Sequence, residues 1–359
     1  MTKPLRVSKG GALPEEFDVA HDLCMVLHDL MAQIVVNGIE KEYFVKSLDL
    51  TAEELEELDS SEDVFEWLDK SNRVDDRSDI LMTTVFPAVL GDMLHCIFEA
   101  LECSRKGKLN ISYMLIRKPL QESLYLLEQI VADQNGFADK LATDPLKLRS
   151  QNAGGVEGHS KRIKKVLEVI GESDRFDPDY IAMLRYDKKS NDSFDGICNH
   201  AMHLFTEHKA IKTEKLNINF IFSDWYSMTT QWAYLYSRMP YLIEYIYRIV
   251  EYLMSKFAST DPSFLNYVDR RIAALVARAN LCIDDEYRSD ELEDHANITF
   301  NELLKDCLEN GYREPTEEDL IRMSIDSSYP GEFFVNRYLR DLRFKCISAK
   351  NRLLEYLFR

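Results

Sequence analysis

A chain of 359 residues with 45% apolar and 30% charged residues has the balance of a folded globular protein. Its 13 Gly and 10 Pro are too few for the frequent turns of an all-β fold. The formal net charge of −18 excludes a chain-wide nucleic-acid surface, which relies on Lys and Arg to neutralise phosphates.

Residues 1–13 are polar, contain Gly10-Gly11, and read as a flexible leader. They lack the apolar core of a signal peptide. From Pro14 to about Val36, apolar residues from Phe17 to Ile34 recur at spacings of three and four, one helical stripe that Asn37-Gly38 is expected to stop. Thr51-Ala-Glu-Glu54 is a capping-box pattern opening a short acidic helix. Residues 53–79 hold twelve acids against three bases, which suits a solvated face better than a docking surface for a basic partner.

Two long apolar helices are expected at about 78–105 and 110–134, broken at Arg105-Lys-Gly-Lys-Leu-Asn110, with Pro119 kinking the second. Residues 135–158, with Asp144-Pro145 and Gly154-Gly155, read as a mobile connector. A basic helix follows to about Ile170, and Asp177-Pro178 caps another. Residues 216–220 alternate with period two and are the best strand candidate. From about Asp224 to Phe257 runs a helix crowded with aromatics, among them Trp225, Tyr226, Trp232, Tyr236 and Tyr245; core fits them better than base stacking. Within it, residues 239–257 are the most apolar long stretch, but Glu244, Arg248, Glu251 and Lys256 mark a buried soluble helix. Helices continue to Arg359, with starts at Asp261-Pro262 and Pro315-Thr316.

No phosphate loop, dinucleotide fingerprint, zinc helix or nucleophile elbow is present. The seven Cys form no CxxC pair, as in a cytoplasmic protein with reduced thiols. The densest polar cluster runs from Cys198 to His208. If helical, His200 and His203 lie one turn apart and Glu207 follows at four, a set that suits a metal ion, a histidine base held by a carboxylate, or a seam of hydrogen bonds between helices. The seam carries the most weight, because short motifs recur by chance. Asp195, Glu207 and Lys209 only loosely echo a nuclease carboxylate pattern. Arg117 and Glu122 lie in an apolar helix, where Arg117 needs an anionic partner or an exit to water. Arg288 and His295 match the Arg–His spacing of HEPN nucleases, but the four acids between them would repel RNA. Near the C-terminus, Arg337, Arg340 and Arg343 share one helical face, able to hold RNA or, more simply, to pair with the acidic segment 53–79.

Two segments together, 110–124 with Arg117 and Glu122, and the later Tyr186, Ser190, Asn199-His200 and His203 to Thr206, resemble all-helical bacterial families near HEPN-like and abortive-infection proteins. The resemblance covers under a third of the chain. It implies a site where Arg117, Glu122, His200 and His203 converge, and it carries no reaction.

The expected fold is all-α, an irregular multi-helix bundle with long central helices. Its parts are a leader at 1–13, an N-terminal part at 14–134, the connector, and a C-terminal part at 159–359 joined to the first as one domain. The leading expectation is a cytoplasmic binding or interaction module, with a protein partner or a second copy of itself and no membrane contact, set in bacterial stress response or phage defence. The rivals are a HEPN-like metal-independent ribonuclease using Arg117 and His200 or His203, and a metal-dependent enzyme using His200, His203 and Glu207. No cofactor is named beyond that candidate ion.

Overall fold

The computed structural model describes residues 11–333, 335–340 and 342. The fold is all-α: fourteen α-helices between Asp18 and Asp326, and no strand among the described residues. It divides into two compact units between Ser259 and Thr260, inside the region expected to be one C-terminal part.

The first unit holds α1 (Asp18–Glu40), α2 (Ala52–Asp59), α3 (Val64–Lys70), α4 (Val74–Arg105), α5 (Leu109–Lys118), α6 (Leu124–Ala132), α7 (Gln134–Thr143), α8 (Gly155–Ile170), α9 (Pro178–Tyr186), α10 (Phe194–Met202) and α11 (Trp225–Ser255). The long helices α1, α4 and α11 form its core: α1 packs on both α4 and α11, and α4 on α5. On α11, Leu235, Leu242, Ile243, Ile246 and Ile249 are fully buried. Each such side chain contributes roughly 1.5–3 kcal/mol through the apolar surface it removes from water. By length and composition alone, residues 15–40 and α4 are long and apolar enough to cross a membrane, whereas α11, which holds the stretch 239–257 expected to be the most apolar, is not. Here both helices bury apolar residues against neighbouring helices.

Local signals explain most boundaries. Thr51 accepts from Glu54 N, and Glu54 accepts from Thr51 N at 2.8 Å, the reciprocal cap expected of α2. Asp177 and Asp224 cap α9 and α11 through their side chains. Gly107 takes φ +75° in the tight turn from α4 to α5, a conformation costly for other residues. Pro119 lacks an N–H and locally widens the α5–α6 rod: Pro119–Ser123 is a π-helical turn closed by Leu124 N donating to Pro119 O.

Two boundaries differ from expectation. Helix α1 continues through Asn37-Gly38 to Glu40, because Gly38 serves close approach: a Cβ there would sit 2.3 Å from the Phe44 ring. Residues expected to form a connector carry α7, which buries Phe137 and Ala138 and packs on α4, followed by two short 3₁₀ turns.

The second unit pairs α12 (Pro262–Leu281) with α13 (Asp290–Glu309) and α14 (Glu317–Asp326). Ala274, Leu303, Cys307 and Met323 form its buried centre. Residues 335–340 are helical.

Candidate functional site

Helix α10 ends at Met202, and His203 is already extended at φ −126°, ψ 131°. The helical spacing assumed for His200, His203 and Glu207 is therefore broken after one member. His203 and Glu207 are exposed on the following loop. Among the described residues no group of three His, Cys, Asp or Glu could hold a metal ion, so the metal set drawn from the sequence does not assemble. His200 instead donates from Nε2 to the Ile211 carbonyl, which anchors the loop to α10.

That loop has a built interior. Thr213 Oγ1 accepts from Thr206 N at 2.8 Å and donates to Asn219 Oδ1 at 2.9 Å. Asn219, itself buried, donates to the His203 carbonyl at 2.7 Å. Phe220 faces Tyr113 with ring centroids 6.0 Å apart. Residues 216–220 are not a strand. Leu216 and Phe220 have positive φ, 61° and 60°, and the segment turns twice.

Between this loop, α10 and the start of α11 lies a half-open cavity of about 360 Å³. His200, Lys212, Glu214, Asn217, Ser223, Ser227 and Gln231 supply its polar lining, and Phe220, Phe222 and Ile218 its apolar wall. The same segment exposes Met202, Leu204, Phe205, Leu216, Ile221, Phe222, Trp225 and Tyr226, of which only Phe222 also lines the cavity; Phe205 is 64% and Tyr226 79% exposed.

The other expected site residues are not brought together with His200. Arg117 Nη1 reaches Met202 Sδ at 3.5 Å, and its Nε has no hydrogen-bond partner. Met202 and His200 lie on roughly opposite faces of α10, given 3.6 residues per turn. Glu122 is exposed. Asp195, on the Met202 face, is buried and accepts from Gln121 and Asn199 at 2.9 and 2.8 Å, while Lys209 is exposed on the loop. Arg288 pairs with Asp285 and Glu293 while His295 is buried in α13. Arg337 and Arg340 pair with Asp326 and Glu332 of their own unit, and Arg343 lies outside the described residues.

A second polar cluster had no sequence signal. Glu128 on α6 is fully buried and accepts from Arg185 Nη1 at 2.5 Å, Tyr245 OH at 2.9 Å and Arg162 Nη2 at 2.8 Å. Burial alone would raise its pKa, but the charges of Arg185 and Arg162 outweigh this and hold it low. Arg185 Nε and Tyr186 OH donate to the Leu120 and Gln121 carbonyls of the π-helical turn. His159 stacks on Tyr186 at 3.4 Å and accepts from Arg162 Nη2 at 2.8 Å. These groups partner one another from four elements, the arrangement of an internal polar brace.

No family model, curated protein or solved structure matches the chain.

Proposed function

We propose that this protein is a helical interaction module that joins a second copy of itself through residues 202–226. One observation carries the reading: eight large apolar side chains stand exposed within this single segment. Such concentrations of exposed apolar surface mark contact sites. The charge pattern favours a like partner. Lys209, Lys212 and Lys215 balance Glu207, Glu214 and Asp224, so the segment is neutral in a chain of net charge −18. Two copies meeting here escape much of the repulsion they would feel elsewhere. The ribonuclease and metal readings lack comparable support, since Arg117 and His200 make their contacts on different faces of α10, and His203 and Glu207 fall beyond the end of that helix.

The three lysines supply the test. Lysine-specific cross-linking of mixed heavy- and light-isotope chains should give inter-copy links among Lys209, Lys212 and Lys215. Links confined to other lysines, or links only within one copy, would overturn the reading.

A further inference from the structure

The cavity beside this segment is lined by two opposite charges and an apolar wall. Lys212 and Glu214 carry opposite charges, both line it, and neither forms an ion pair among the described residues. Lys212 and Glu214 flank Thr213 on the cavity wall. The hydroxyl of Thr213 between them is spent on Thr206 and Asn219. Deeper in, Gln231 Oε1 is buried with no hydrogen-bond donor, while its Nε2 reaches Ser223 at 3.4 Å. Phe220, Phe222 and Ile218 form the apolar wall.

We propose that the cavity binds a free α-amino acid with an apolar side chain. Its ammonium donates to Glu214, its carboxylate accepts from Lys212, and its side chain lies on Phe220 and Phe222. A volume of about 360 Å³ has room for a ligand of this size. The cavity shares Phe222 with the proposed self-association surface, but Phe205 and Tyr226 lie outside its lining, so a Phe205→Ser/Tyr226→Ser variant separates ligand binding from self-association.

Isothermal titration of the full chain with L-leucine and L-phenylalanine tests it. Both should bind, and leucinamide and N-acetyl-leucine, each lacking one charge, should bind at least about tenfold more weakly, the worth of one charged hydrogen bond. Lys212→Ala should erase the preference for leucine over leucinamide, and Glu214→Gln the preference for leucine over N-acetyl-leucine. Both side chains are exposed, so these variants keep the fold. No heat from either amino acid, equal binding of the blocked analogues, or saturable binding only of adenosine or inorganic phosphate would overturn the proposal.

Discussion

Two arginines and a tyrosine donate to the carboxylate of Glu128, and each is buried with it. Removing the acid strands two cations in the interior, so Glu128→Ala should cost roughly 3–5 kcal/mol by urea denaturation. A loss below about 1 kcal/mol would mean that water reaches the arginines. His159 makes a second prediction. Burial, then the charges of Arg162 and Arg185, lower its pKa to about 3. In the unfolded chain the same imidazole titrates near about 6.5. Between these values the unfolded state holds one more proton, so stability falls as pH falls, by up to about 1.4 kcal/mol per pH unit from this group. His159→Gln should flatten the slope of stability against pH by about one proton between roughly pH 6 and pH 4. An unchanged slope would contradict the buried, neutral assignment.

Gly38 tests the fold one level up. Because a Cβ there would meet the Phe44 ring, Gly38→Ala should destabilise by about 1–3 kcal/mol in thermal unfolding, although alanine is the better helix former. A stabilised variant would show that Phe44 moves aside freely. Helix starts were legible in the sequence where the signal is local: Thr51 with Glu54, Asp177 with Pro178, Asp224, Asp261 with Pro262, and Thr316 with Asp319 each cap the helix they announce. Pro119 likewise marks its distortion, since a missing N–H acts at its own position. The loop after α10 was not legible. Period-two alternation at 216–220 imitates a strand, while its conformation is set by Thr206, Thr213 and His203, up to 16 residues away. The polar brace was invisible for the same reason: Arg162 and Arg185 lie 34 and 57 residues from Glu128. Of the cavity, the sequence exposed only His200, without its neighbours.

Across the whole molecule, charge and apolar surface pull in opposite directions. A net charge of −18 keeps copies apart, and the segment 202–226 carries none of that net charge. Salt therefore separates the forces. If association is driven by apolar contact against long-range repulsion, it should tighten as sodium chloride is raised from about 0.02 M to about 0.5 M, where screening shortens the reach of charge to a few ångströms. Weakening with salt would instead mean that opposite charges hold the copies together.

Sedimentation velocity of the full chain beside a Phe205→Ser/Tyr226→Ser variant tests the self-association most directly. The wild type is expected to sediment as a dimer at concentrations of about 10–100 µM, and the variant as a monomer with the same helical circular dichroism. A wild type that stays monomeric throughout, or a variant that dimerises equally well, would contradict the proposed interaction surface.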